Sequence, residues 1–321
     1  MKTTLTNEIC TRMETHLSAE QNKILESTLM QVFDAFALEE TSEQLPQIDQ
    51  RENARLINLF IAAKKIEGGS ENTLKYYSNT LMKILNTIHK NIRYIETNDL
   101  RLYLSNYQTE HACSKTTLDN IRRIMSTFFA WLEDEDYIVK SPVRRIHKVK
   151  ATQIVKETLT DEHLEKLRDQ CTHSRDLAII DLLISTGIRV GELVKLNRTD
   201  INFTERECIV LGKGDKERLV YFDAKTKVHL QQYLLTRTDS NPALFVGRNA
   251  PWNRLSIAGV ERMLAKLGDE SEIRHVHPHK FRRTMATMAI EKGMPIEQVQ
   301  KLLGHAQIDT TLHYYVKLFI M

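Results

Sequence analysis

The 321-residue chain contains no run approaching the ~18 consecutive apolar residues of a membrane span, and no apolar signal-like region near its N-terminus. Both absences argue against a membrane or exported protein. Cysteine is scarce, and Cys10, Cys113, Cys171 and Cys208 stand far apart with no C-x-x-C pair among them. No disulfide framework is indicated, and a reduced, cytoplasmic setting is expected. Internal repeats and low-complexity segments are lacking too. What is present is the balance of a globular chain, 41% hydrophobic and 27% charged, long enough for two domains that each bury a core.

Net charge is also small, +3, but it is unevenly spread. Residues 1–50 hold three Lys/Arg against nine Asp/Glu, whereas residues 51–150 hold seventeen against eleven. An acidic head on a basic body suggests a polyanionic partner, although solvated helix faces produce the same imbalance.

Apolar spacing divides the chain. In "AEQNKILESTLMQVFDAFAL", Ile24, Leu25, Leu29, Val32, Phe33 and Phe36 recur at near-helical intervals, and a polar break follows. Residues 1–48 therefore read as an acidic helical appendage. Residues 49–145 read as a bundle of four amphipathic helices. The first stops at Gly68-Gly69, and Ser70 caps a second with the stripe Leu74, Tyr77, Leu81, Ile84 and Ile88. A third begins with Thr97 or Asn98 as its cap. The fourth aligns Leu118, Ile121, Met125, Phe128 and Leu132, leaving Arg122 and Arg123 off the stripe. Residues 146–158 lie in an aperiodic basic stretch, "SPVRRIHKVKATQIVKET", and read as an interdomain linker. Together Arg122, Arg123, Arg144, Arg145, Lys148 and Lys150 are candidates to follow a phosphate backbone. From residue 159 to 321 the pattern is helical again, interrupted by one hairpin, "CIVLGKGDKERLVYFD". The expected fold is mainly α with a small antiparallel sheet, a helical domain followed by an α+β domain.

Four stretches of this second half carry unusual residues. "STGIRVGELVKL" sets Arg189 just past a helix end with Glu192 one turn into the next helix. The hairpin turn displays Lys213 and Lys216. "HPHKFRRTMAT" sets His279 and Arg282 one helical turn apart. "LLGHAQIDTTLHYY" supplies His305 and the adjacent Tyr314 and Tyr315, which cannot both face a core. Singly, each has an ordinary reading. Arg189 caps a helix or pairs with Glu192, hairpin lysines solubilise, and His305 is a helix C-cap neighbour. His275, His277 and His279 alternate as metal ligands on a strand would. As a set, the residues answer one chemical need, attack of a tyrosine hydroxyl on a phosphodiester. Two guanidiniums can hold the non-bridging oxygens bidentately, two histidines can donate or accept a proton, and a lysine can protonate the leaving oxygen. The tyrosine would be the covalent carrier.

With these residues in place the sequence resembles the tyrosine recombinases, in particular the Xer-type and mobile-element integrases. "TGIRVGEL" matches the first family box and implies a catalytic role for Arg189. "LGKGDKERLVYF" matches the hairpin and puts the catalytic lysine on Lys213, leaving Lys216 outside the set. "HPHKFRRTMAT" supplies His279 and Arg282, and "LLGHAQIDTTLHYY" supplies His305. The family's step from that histidine selects Tyr314 as nucleophile. The match spans roughly residues 155–315, and the bundle resembles the family's SAM-like core-binding domain through weaker motifs. Phe281 stands where leucine is common, Arg283 replaces a frequent histidine, the tail after Tyr314 is short, and the acidic head is extra.

The resemblance implies a DNA strand transferase forming a 3′-phosphotyrosyl bond, with no metal and no other cofactor. It implies duplex DNA with an inverted-repeat core site as partner, and a homotetramer on that DNA. Mobile-element integration or excision is the expected role. Xer-like chromosome-dimer resolution, a type IB topoisomerase and a non-catalytic DNA-binding protein are the alternatives.

Overall fold

The computed structural model describes residues 2–13, 16–34, 50–150, 156–212 and 217–304. Its contacts divide into two compact units, residues 1–152 and 153–321.

The first unit opens with α1 (Lys2–Met13) and α2 (Ala19–Asp34), which pack on each other. Asn22 Nδ2 of α2 donates to the Cys10 carbonyl at 3.2 Å. No described side chain of α2 is fully buried. Leu25, Leu29 and Phe33 are half-buried, and Ile24 and Val32 face solvent. Phe36 and the polar break after it lie outside the described residues.

Next come α3 (Gln50–Ile66), α4 (Glu71–Ile88), α5 (Thr97–His111) and α6 (Lys115–Asp134). Ser70 and Ser114 cap α4 and α6 by accepting from the amides of Thr73 and Thr117. The start of α5 differs from the sequence expectation, since its N-cap is Glu96 and Asp99 reaches back to the Glu96 amide. A carboxylate here satisfies an amide as well as a hydroxyl would, and it suits the positive end of the helix dipole. Leu81, Ile84 and Leu85 of α4 meet Leu118, Ile121, Met125, Phe128 and Leu132 of α6 within one core, with Leu56, Ile57 and Phe60 of α3 beside them. Phe60 stands edge-on to Phe128 with ring centres 5.1 Å apart. A 3₁₀ turn at Pro142–Arg145 closes the core with buried Val143.

The second unit runs α7 (Asp161–Asp169), α8 (Ser174–Thr186), α9 (Val190–Leu193), β1 (Ile201–Asn202), β2 (Glu207–Leu211), β3 (Glu217–Tyr221), α10 (Ala224–Leu235), α11 (Ile257–Glu270), α12 (Pro278–Glu291) and α13 (Ile296–Leu303). Helix α8 is apolar almost all round, which suits a helix buried on every side. Ala178, Ile179, Ile180, Leu182 and Leu183 are inaccessible to solvent, and α10 and α12 pack against them. Its buried Asp181 is satisfied by Arg168 Nε at 2.8 Å and by the His229 ring. The sheet is antiparallel in the order β1-β2-β3, with Cys208 opposite Val220 and Val210 opposite Arg218. Alternation turns Cys208, Val210 and Val220 inward, and Arg218 shares that inner face.

Candidate active site

The site begins where α8 ends. Gly187 sits in the left-handed region (φ 61°), its amide donating to the Leu183 carbonyl at 3.0 Å. This stop lets the chain reverse, and Arg189 becomes the N-cap of α9. The Arg189 amide donates to Glu192 Oε2 at 2.8 Å, and its Nη1 to Glu192 Oε1 at 2.9 Å. Buried Glu192 is also gripped by Arg218, Nη1 to Oε1 and Nη2 to Oε2, each at 2.7 Å. Burial pushes the Glu192 carboxyl up, but the bonds from Arg218 and from the Arg189 amide outweigh it and hold its pKa below the ordinary value. The pair expected between Arg189 and Glu192 is therefore present inside a larger group.

Helix α12 supplies the second half. Pro278 occupies its first position, where no amide bond is lost. His277 is the N-cap, His279 lies in the first turn, and Arg282 follows one turn on. Because α12 starts here and His275 is in the left-handed region (φ 54°), the three alternating histidines do not share a strand. Among the described residues no group of three His, Cys, Asp or Glu is spaced to hold a metal ion. Arg282 is buried, with Nη1 donating to the Gly187 carbonyl at 2.6 Å and Nη2 to that of Leu303. The His279 pKa is lowered by partial desolvation and then by Arg282, Arg283, Arg189 and Lys156. His277 is shifted the same way, by burial and then by Arg283, His279, Lys280 and Lys156. Neutral imidazoles are favoured on this face.

Three guanidiniums meet the end of α13. Arg218 Nε donates to the Leu302 carbonyl at 3.2 Å, Arg282 to that of Leu303, and Arg189 Nη2 to that of Gly304 at 3.3 Å. Positive groups at a helix C-terminus satisfy its last carbonyls and oppose its dipole. The end of α13 is thus joined to both arginines expected from the sequence. The next residue in the chain is His305.

Lys213, Lys216, His305, Tyr314 and Tyr315 lie outside the described residues. The two departures in α12 have physical roles. Phe281 is wholly buried, and Arg283 Nη2 donates to the Glu157 carbonyl at 3.2 Å. Arg218 was not singled out from the sequence. Its signal was a charged residue in phase with Val220 on the inward side of a strand.

In the first unit Arg122 is half-buried, its Nε donating to Asp119 at 2.8 Å, whereas Arg123 is exposed. Asp119 also accepts from the Val149 amide at 3.0 Å, which ties the middle of the basic stretch to α6. Arg144, Arg145, Lys148 and Lys150 are exposed. An open cavity of about 500 Å³ beside them is lined by Arg101, Lys140, Arg144 and Arg145 together with the first turn of α5.

Comparison with known proteins places the chain in a family. Residues 148–319 match the phage integrase family, and residues 56–138 match the phage integrase N-terminal SAM-like domain. A tyrosine recombinase XerC of Oceanobacillus iheyensis is 31% identical over 275 residues, covering 80% of this chain and 90% of the relative. A Staphylococcus aureus XerC is 31% identical over 267 residues, covering 79% and 89%. Among solved structures, the Tn1549 transposon integrase in complex with a circular intermediate DNA superposes with a TM-score of 0.68 at 19% identity, covering 82% of this chain and 94% of that one. A lambda integrase dimer bound to a COC′ core site gives 0.67 at 17% identity, covering 91% and 86%. The chain belongs to the phage integrase family, the tyrosine-type site-specific recombinases. Among the described residues no helix is long and apolar enough to cross a membrane.

Proposed function

We propose that the protein cuts and rejoins duplex DNA at a specific site through a 3′-phosphotyrosyl intermediate. One observation carries the assignment of residues. Arg189 and Arg282, from separate helices, donate to the successive carbonyls of Gly304 and Leu303, next to His305 in the chain. A scissile phosphate bound there meets two delocalised positive charges as its non-bridging oxygens gain charge in the transition state. The Tyr314 oxygen forms a bond to phosphorus while the bond to the 5′ oxygen breaks. Lys213 gives a proton to that leaving oxygen. His279, favoured as the neutral imidazole, accepts or relays the tyrosine proton, and His305 donates to a non-bridging oxygen. The freed 5′-hydroxyl of a partner strand then reverses the step, so bond energy is retained in the covalent link.

Binding follows from the rest of the chain. The bundle of residues 49–145, the linker 146–158 and the catalytic domain 159–321 would close around duplex DNA. Arg122, Arg123, Arg144, Arg145, Lys148 and Lys150 would face its phosphates. Strand exchange between two duplexes calls for four protomers on two inverted-repeat core sites. The acidic head lies outside both family matches and favours integration or excision of a mobile element. Identity to XerC proteins over most of the chain favours the second reading, resolution of chromosome dimers. Loss of the gene should block excision of an adjacent element in the first case and accumulate dimeric chromosomes in the second.

A nicked suicide substrate tests the chemistry. Wild type and Tyr315→Phe should trap covalently on DNA, while Tyr314→Phe should bind and not trap. Trapping by Tyr314→Phe but not by Tyr315→Phe would move the nucleophile by one residue and break the assignment.

A further inference from the structure

Arg218 lies five residues beyond Lys213 in the chain, on the inner face of β3, where its neighbour in phase is buried Val220. An arginine in that position must find acceptors or be expelled. It finds three. Both terminal nitrogens bind the two oxygens of Glu192 at 2.7 Å, and Nε binds the Leu302 carbonyl at 3.2 Å. Its side chain also packs on Gly304, where a Cβ would approach Arg218 Cδ to 3.3 Å. Each Glu192 oxygen therefore serves two donors. Oε1 takes one nitrogen from Arg189 and one from Arg218, and Oε2 takes the Arg189 amide and the second Arg218 nitrogen.

We propose that Arg218 is a positioning residue for strand cleavage, holding Glu192 so that the Arg189 guanidinium is presented to the scissile phosphate. This rests on the function proposed above. Two physical effects operate together. The first is geometric, because a carboxylate fixed by a bidentate fork cannot rotate to pair side-on with Arg189. The second is electrostatic. Arg189, Arg218 and Glu192 together carry one net positive charge. Without Arg218 the remaining pair is neutral, and the buried carboxylate competes directly with the phosphate for the Arg189 guanidinium. The bond to Leu302 adds a link between the hairpin that carries Lys213 and the helix that leads to His305.

The test uses single-turnover cleavage of a suicide half-site by the full chain at saturating DNA. Arg218→Met should slow covalent trapping roughly 10- to 100-fold, as removal of groups that orient metal ligands does, with half-site affinity within about threefold of wild type. In an Arg189→Lys background the same substitution should slow trapping less than about threefold, because an effect routed through Arg189 is not counted twice. Arg218→Lys keeps the charge but offers no fork. It should restore the melting temperature but only the electrostatic share of the rate, and it carries the test if Arg218→Met does not fold. Equal slowing in both backgrounds, loss of affinity in step with rate, or full rescue by Arg218→Lys would each overturn the positioning role. Wild type that traps no DNA would instead overturn the proposed function, and the two failures are distinguishable.

Discussion

Replacing Gly187 with alanine should disturb both stability and chemistry, and the amount can be worked out from its surroundings. At φ 61° an alanine is strained, and its Cβ would lie 2.3 Å from Met285 Cε and 3.1 Å from Leu303 Cδ2. The left-handed backbone and the overpacking together should cost roughly 2 to 4 kcal/mol, with part of the clash relieved by the flexible Met285. For a unit of this size that is a drop of roughly 5 to 15 °C in melting temperature. The Gly187 carbonyl is also an anchor of Arg282 at 2.6 Å, so a backbone shift should slow cleavage as well. Thermal unfolding and suicide-substrate trapping measure the two effects. In a Met285→Ala background the penalty should fall towards the backbone share alone, about 1 to 2 kcal/mol. A Gly187→Ala protein that melts within about 2 °C of its parent and traps DNA at the parental rate would refute the reasoning.

Three further outcomes are expected. Buried Asn53 bridges two backbones, Nδ2 donating to the Lys90 carbonyl and Oδ1 accepting from the Ile92 amide, both at 3.0 Å. Asn53→Leu should destabilise the first unit by roughly 2 to 4 kcal/mol in urea, since both groups lose their partner. The Trp131 fluorescence of a Trp252→Phe protein reports that unit separately, and an unchanged midpoint would discount the bridge. His277 and His279 have folded pKa values lowered from 6.5, so the unfolded chain binds more protons in acid. Stability of the second unit should be complete above about pH 6.5 and decline as the pH falls through the lowered values. His277→Gln should flatten that decline, and melting curves from about pH 5 to 7.5 show whether it does. Lys213→Ala should cleave ordinary DNA slowly but a 5′-thio leaving group at nearly the wild-type rate, because a thiolate departs without a proton. Equal slowing on both substrates would remove Lys213 as general acid.

The stripes of α4 and α6 were legible because Leu81, Ile84, Phe128 and Leu132 recur at helical spacing and are buried as the spacing requires. Helix α1 was not, since Leu5, Ile9 and Met13 recur at helical spacing but make only a narrow line in the mostly polar run "KTTLTNEICTRM". Strand β1 is two residues long, shorter than any period that could announce it, whereas the single turn of α9 was readable from Arg189 and Glu192. Helix α10 does carry Thr226, Leu230 and Tyr233 on its inner face, but the polar residues between them hide the pattern. At the site, the Arg189–Glu192 pair is local and was readable three residues apart. Arg218 joins Glu192 and Leu302, 26 and 84 residues away, and no spacing rule connects residues across such distances.

The chain just ahead of α7 is stitched to α12. The Leu159 amide donates to the Thr284 hydroxyl at 2.9 Å, and the Glu157 carbonyl accepts from Arg283. This sets a rule for anyone exchanging DNA-recognition modules between recombinases. A fusion joined before Glu157 carries both stitches with the catalytic half that made them. A fusion joined after Leu159 imports a foreign segment opposite a hydroxyl and a guanidinium shaped for another, two and one residues from Arg282. Such a hybrid could recognise its new target faithfully and still cut poorly, the fault lying in the seam and not in the module that was exchanged.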